Sequence, residues 1–272
     1  MLSQFRQLSD KKTAIPEKEN THLLLTACID PKAYNIFLPT ERVSHYIDTL
    51  RYYLAVDIKV KGIVFVENSG YPLDVFRSLP NPYNRNVEFI SCNCVYPEPL
   101  KVAYRKSYGE MFAINEAMES SELLRDAAYI AKLTGRIRLM NFDRLLYSVR
   151  RQFGLFCDIK DHGWLVQRLR GVNDAGPYCD TRFLAFTREF YSAHLKNLLS
   201  RIAENKIVLE RLMYQVAIDP ALKNEVIRRF PIEPYFSGFS GTRKGTSYDS
   251  IYGSAARRIR SVARIAFPWL HI

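Results

Sequence analysis

The sequence predicts an α/β protein built on a mostly parallel central sheet covered on both faces. Three observations predict it. Short apolar runs of strand length alternate with segments whose apolar residues recur every three or four positions. The strand-length runs are continuously apolar, as strands buried on both faces require. The 272 residues, 47% of them apolar, supply a sizeable core and exclude a disordered chain.

After a polar arm over residues 1–20, Leu23 to Ile29 reads as a strand closed by the turn signal Asp30-Pro31. Thr40 to Val56 reads as a helix capped by Thr40, with Val43, Ile47, Leu50, Tyr53 and Leu54 along one side. Ile63 to Val66 is a second buried strand, ending at Glu67-Asn68-Ser69-Gly70, and Pro72 to Leu79 starts the next helix. Val87 to Cys92 is a third strand. Lys106 to Glu122 is a helix with Met111, Ile114 and Met118 inward.

Ala128 to Leu133 is followed by the joint Thr134-Gly135-Arg136 and by the apolar run Ile137 to Met140, with Arg138 to Asn141 read as a strand. Tyr178 to Thr187 is a strand-like run containing Asp180-Thr181-Arg182. Glu189 to Ile202 is a helix with Tyr191, Leu195, Leu198 and Ile202 on one side, and Asn205 caps a further helix reaching Val216. Ser237 to Gly245 carries three glycines and reads as an ordered loop or a lid. No repeat or linker divides the chain. One body over 21–245 and an appendage over 246–272 is the simplest organisation.

Several function classes drop out. The five cysteines, Cys28, Cys92, Cys94, Cys157 and Cys179, are odd in number and form no framework, which suits a reducing compartment. No Gly-x-Gly-x-x-Gly follows the first strand and no Gly-Lys-Ser or Gly-Lys-Thr is present, which argues against dehydrogenases, kinases and ATPases. Cys92-Asn93-Cys94 is not a redox or zinc spacing, and Asp158-x-x-Asp161-His162 is a weak metal cluster. No apolar run approaches the roughly 18–20 residues that span a bilayer, and the first twenty residues carry no secretory pattern. The expectation is a cytoplasmic protein.

Charge points to an anionic partner. Lys and Arg number 39 against 28 Asp and Glu, a formal net charge of +11. Arg228, Arg229, Arg243, Lys244, Arg257, Arg258, Arg260 and Arg264 concentrate it near the end of the chain, opposed there only by Glu233 and Asp249. Over Ile251 to Phe267, helical spacing puts Ile251, Ala255, Ile259, Val262 and Ala266 on one arc and the arginines opposite. Two readings stay open: an apolar stripe laid on an anionic membrane surface, or the same stripe docked on the core. A nucleic-acid face calls for exposed aromatics, whereas these aromatics interleave with core patterns, so no nucleic acid is expected.

In parallel sheets ligands gather beyond the carboxyl ends of the strands, where Thr26 to Asp30, Glu67 to Gly70 and the stretch from Ser91 onward lie. The order of Lys106-Ser107-Tyr108-Gly109-Glu110 through Ala113-Ile114-Asn115-Glu116-Ala117, then Lys132-Leu133-Thr134-Gly135-Arg136, then Cys179-Asp180-Thr181-Arg182-Phe183 and Leu209-Glu210 is informative. Together it resembles the bacterial glycosyltransferases of lipopolysaccharide and capsule assembly, over about Leu23 to Gly245. The resemblance implies a GT-A-like, nucleotide-diphospho-sugar transferase fold. It implies a nucleotide-diphospho-sugar donor and a saccharide or lipid-linked saccharide acceptor at the inner face of the cell membrane. By placement, Thr26, Asp30, Lys106, Lys132, Gly135, Arg136, Asp180 and Arg182 would hold the donor, with Glu110, Ala27 and Asn115 nearby. Many members of the fold carry Asp-x-Asp holding Mg²⁺ or Mn²⁺; here only Asp180 matches, and Arg182 stands in place of the last acid.

The chemistry of sugar transfer sets three demands: stabilised diphosphate charge, deprotonation of the acceptor hydroxyl, and in-line positioning. Lys132, Arg136 and Arg182 are candidates for the first, and Arg243 in the glycine-rich segment for closing over the diphosphate. If the reaction inverts the anomeric centre, one general base suffices. Glu210, set among Ile207, Val208, Leu209, Leu212 and Met213, is the candidate, with burial expected to raise its pKa. The competing reading is a basic module that binds nucleic acid or anionic lipid without catalysis.

Overall fold

The computed structural model describes residues 20–31, 38–161, 176–239, 248, 251–267 and 270–271. The arm over 1–20, apart from Asn20, lies outside the described residues, as do Arg243, His162 and segment 240–247.

The core of the sheet is four parallel strands: β1 (Thr21–Ala27), β2 (Gly62–Glu67), β3 (Asn86–Ser91) and β4 (Tyr129–Thr134). Strand β9 (Phe183–Phe186) runs antiparallel to β4 and to β6 (Leu155–Phe156), and β10 (Val226–Ile227) runs parallel to β6. The sheet order is β10-β6-β9-β4-β1-β2-β3. Two short ladders lie outside it: β5 (Ile137–Leu139) with β11 (Phe236–Gly238), and β7 (Ile159–Lys160) with β8 (Tyr178–Cys179).

Parity along each strand builds the two faces. Leu24 of β1, Val64 and Val66 of β2, and Ile130 of β4 pack under helices α3 (Val102–Ser120), α6 (Leu198–Asn205) and α7 (Leu209–Ile218). Leu23, Leu25, Ile63, Phe65, Ala131 and Leu133 face the other way, onto α1 (Pro39–Ala55) and α4 (Phe142–Tyr147). The continuously apolar runs are therefore strands covered on both sides. Full burial of each such large side chain stabilises the fold by roughly 1.5–3 kcal/mol.

Several boundaries differ from expectation. Helix α1 starts at Pro39, with Leu38 as its cap residue, and the Leu38 amide donates to Glu41 Oε2 at 2.9 Å, so Thr40 is not the cap. The helix expected after Pro72 is the single turn α2 (Asp74–Arg77). The expected strand over 178–187 is broken by a turn at Thr181 and Arg182. The expected helix over 189–202 is α5 (Arg188–Phe190), a π-helical turn (Tyr191–Leu195) and α6. Lys206 closes α6 with φ of 53°, so Asn205 ends one helix rather than capping the next.

The C-terminal helix α8 (Ile251–Ala266) forms as the periodicity predicts, and it meets the body through Arg264 on its arginine edge. Arg264 is 8% exposed, whereas Ile259, Val262 and Ile265 are 67%, 66% and 79% exposed. The arginine edge docks because two buried carboxylates, Asp158 and Glu233, receive it. Of the apolar stripe, Ile259 and Val262 are therefore not docked on the core.

Candidate functional site

The chain runs from β1 outward to β2 and β3, then returns to place β4 on the other side of β1. That reversal opens a crevice at the carboxyl ends of β1 and β4, where open α/β sheets bind ligands. A cleft of about 370 Å³ lies there. Thr26, Ala27 and Cys28 line it from β1 and the turn after it, Thr134 and Arg136 from the β4–β5 turn, and Lys106 and Glu110 from α3. Asp180, Thr181 and Arg182 come from the β8–β9 turn, and Glu210 from the first turn of α7.

Arg136 stands apart among the cleft cations. It is half-buried, and its Nε is shielded from solvent with no hydrogen-bond partner among the described residues. A buried guanidinium nitrogen left unbonded is costly unless a ligand completes it. The other cations are engaged. Arg182 holds both oxygens of Asp180, with Nε at 2.9 and 3.1 Å and Nη2 at 2.5 Å. Its guanidinium also lies over the rings of Phe236 (4.3 Å) and Tyr248 (5.1 Å). Burial pushes the Asp180 carboxyl up, but the adjacent Arg182, with Lys160 further off, outweighs it and holds the group below the usual carboxylate range. Arg182 is correspondingly held above its ordinary value: burial opposes this, and Asp180 prevails.

Lys132 lies beneath the cleft rather than on its wall. It is fully buried, ion-paired with Glu110, and donates to the Thr181 carbonyl at 2.8 Å. Burial raises the Glu110 carboxyl, yet Lys132, Lys106 and Arg136 together hold it below the ordinary range. Glu210 is also placed differently from expectation. Leu209, Leu212 and Met213 turn into the core, while Glu210 is part-exposed toward the cleft. Its Oε1 lies 3.7 Å from Lys106 Nζ, and its Oε2 accepts from Ser107 Oγ at 3.4 Å.

Gly135 serves packing, not ligand approach. Its amide donates to the Thr26 carbonyl at 2.8 Å, and a Cβ there would lie 2.8 Å from that same oxygen. Asp30 is half-buried away from the cleft lining, its amide bonded to Ser69 Oγ at 3.0 Å. Asn115 ties α3 to the π-helical turn, donating to the Lys196 carbonyl and accepting from the Tyr191 hydroxyl at 2.9 Å.

Asn68, in the polar segment expected at the strand ends, lines the cleft; sequence reasoning passed over Arg42, Tyr46, Tyr178 and Tyr248, which line it too. Arg42 Nε donates to the Cys28 carbonyl at 2.9 Å and Tyr46 accepts from the Cys28 amide at 3.0 Å, so the pair fixes the turn after β1. The signal available was the i, i+4 spacing of Arg42 and Tyr46 on the helix following the first strand.

The GT-A type of fold implies a divalent cation, which acidic side chains would hold. Among the described residues no group of three or more His, Cys, Asp or Glu side chains is placed to hold a metal ion. Asp180 spends both oxygens on Arg182, and Asp158 is taken by Lys160 and Arg264. The described residues do not fit a metal. Burial pushes the Cys92 and Cys94 thiols up to about 12, which leaves neither as a nucleophile at neutral pH. Among the described residues no helix is long and apolar enough to cross a membrane.

The sequence matches no protein-family profile and no curated protein. Solved structures do match. The core-mannan synthase A of Aspergillus fumigatus, in its Mn/GDP form, is 10% identical over 90% of this chain and 84% of that chain, with a TM-score of 0.50. A galactosyltransferase in complex with donor and acceptor sugar analogues is 12% identical, covering 76% of this chain and 72% of the other, with a TM-score of 0.47. A 4-diphosphocytidyl-2C-methyl-D-erythritol synthase from Anaerococcus prevotii is 11% identical over 88% and 96% of the two chains, with a TM-score of 0.46. At such identities the likeness concerns the fold. The chain has the GT-A-like fold of nucleotide-diphospho-sugar transferases, a mixed α/β body on a mostly parallel sheet.

Proposed function

We propose that this chain is a glycosyltransferase that moves a sugar from a nucleotide-diphosphate donor to a hydroxyl of a saccharide or lipid-linked saccharide acceptor. The observation that carries the reading is Arg136, a partly buried guanidinium in the cleft between β1 and β4 whose Nε has no partner among the described residues. Such a group asks for a polyvalent anion, and a diphosphate supplies paired oxygens for its fork. Arg182 and Lys106 extend the cationic wall.

In this reading the acceptor oxygen attacks the anomeric carbon while its proton passes to Glu210, which Lys106 and Ser107 orient toward the cleft. The bond from the anomeric carbon to the donor oxygen breaks, and its electron pair leaves on the diphosphate, where Arg136 meets the charge. Glu110 is the other cleft carboxylate without an arginine partner, but Lys132 holds it. One base and one displacement give inversion at the anomeric centre. No step is routed through a metal.

Surface polysaccharide assembly on the inner face of a membrane is the setting we assign. The outward apolar edge of α8, with Ile259, Val262, Ile265 and Phe267 exposed beside Arg258, favours a peripheral contact with anionic lipid.

The test is turnover by the full-length protein with UDP-, GDP-, CDP- and dTDP-sugars and saccharide acceptors, read as the mass gain of one sugar. We expect transfer with at least one donor, and Glu210→Gln to lower kcat by about 10²-fold or more with nucleotide affinity unchanged. Absence of transfer with every donor, or full turnover by Glu210→Gln, would overturn the assignment.

A further inference from the structure

Helix α8 reaches the cleft through a chain of contacts that the proposed chemistry does not use. Arg264 is nearly buried and spreads its guanidinium over several acceptors. Its Nη1 and Nη2 meet the two Asp158 oxygens at 3.0 and 2.7 Å, its Nε donates to Glu233 at 2.5 Å, and Nη1 also reaches the Phe230 carbonyl at 3.1 Å. Asp158 is gripped further by Lys160 Nζ at 2.7 Å and by the Phe230 amide at 3.2 Å. The backbone carbonyl of that same Asp158 accepts from the Asp180 amide at 2.9 Å. Asp180 then holds Arg182 on the cleft wall.

The intervening ladder is slight. Strands β7 and β8 pair over two residues each, Ile159 with Cys179 and Lys160 with Tyr178. A two-stranded ladder of that length does not sustain itself in water. Its position must come from what anchors its ends. At the β7 end the backbone is held by the Cys157 and Ile159 amides, which donate to the Ile227 and Arg228 carbonyls at 2.9 Å, and the Asp158 side chain between them is fixed by a fork donated from α8. Bidentate contact fixes orientation as well as distance, which a single point charge does not.

We propose that Arg264 is a positioning residue for the cleft: through Asp158 it fixes the Asp180 amide, and with it the Asp180–Arg182 pair that faces the ligand. The C-terminal helix is thus part of the site's scaffold. The inference deepens the transferase reading, because it concerns the same cleft.

The experiment follows two readouts in the full-length protein: hydrogen exchange of the Asp180 amide, and affinity for inorganic pyrophosphate by calorimetry. The variants are Arg264→Met, Arg264→Lys and, as a control remote from the cleft, the core change Phe76→Leu. Arg264→Met is expected to speed Asp180 exchange relative to the amides of β1 and β4, and to weaken pyrophosphate binding, each about tenfold. Arg264→Lys, which keeps the charge and loses the fork, falls between, and carries the test if the methionine variant does not fold. Phe76→Leu lowers Tm without either effect. Wild-type Asp180 exchange in a folded Arg264 variant, or effects that track Tm equally in Phe76→Leu, would overturn the inference. If the wild-type protein binds no pyrophosphate, the functional reading fails, and Asp180 exchange alone decides the positioning role.

Discussion

Replacing Lys132 with methionine tests the charge arrangement beneath the cleft. Lys132 is 0% exposed and its partner Glu110 12% exposed, so only Glu110, on the cleft side, has any access to water. The substitution keeps the side-chain volume but strands the Glu110 carboxylate and removes the donor to the Thr181 carbonyl. Breaking a buried pair from one side costs about 3–5 kcal/mol. At about 2–4 °C per kcal/mol for a chain of this order of size, Tm falls by roughly 6–20 °C. The double variant Lys132→Met/Glu110→Leu removes the stranded charge and recovers about 2 kcal/mol, the unbonded Thr181 carbonyl accounting for the remaining cost of about 1–3 kcal/mol.

The pH dependence has a definite sign. In the folded wild type the Glu110 carboxyl sits below its ordinary range, so its contribution is present above the unfolded pKa and lost as pH falls through the folded one. The gap between wild type and Lys132→Met is therefore widest at neutral pH and closes in acid. Urea denaturation at a series of pH values reads it directly. A loss under about 1 kcal/mol at pH 7, or a gap that widens toward acid, would refute the buried-pair account.

Gly135→Ala places a methyl 2.8 Å from the Thr26 carbonyl and 3.3 Å from the Tyr46 ring, and is expected to cost about 1–3 kcal/mol in chemical denaturation. Burial raises the Asp158 carboxyl, but Lys160 and Arg264 hold it well below the usual range, so its stabilisation is present above the ordinary carboxylate pKa and lost below it. Asp158→Asn should thus melt lower than wild type at pH 7 and converge with it in acid. Ile259→Asp/Ile265→Asp, which leaves Arg264 in place, is expected to release the protein from phosphatidylserine vesicles in co-sedimentation; unchanged binding would remove α8 as the lipid contact.

Much of the sheet was legible because its determinants are local. Leu23 to Leu25 and Ile63 to Val66 are unbroken apolar runs, and β4 with its Thr134-Gly135-Arg136 joint stands out between helical segments. Arg136, Asp180, Arg182, Lys106 and Glu210 were picked from the sequence and share one cleft. What escaped depends on partners distant in the chain. Lys132 looks like any strand cation until Glu110 is brought beneath it by α3. Helical spacing grouped the α8 arginines on one edge, but periodicity does not say which edge is buried. Asp158 and Glu233, 106 and 31 residues from Arg264, decided that. The break at Thr181 and Arg182 was hidden because the flanking residues have strand character on both sides.

On the proposed reading Arg136 binds the diphosphate of the donor. Titration of UDP and GDP into the full-length protein, with Mn²⁺ and with EDTA, tests it most directly against Arg136→Ala. Binding by wild type that persists in EDTA, and a loss of about 10- to 100-fold in Arg136→Ala at unchanged Tm, is the predicted result. Equal affinity in the two proteins, or binding abolished by EDTA, would contradict it.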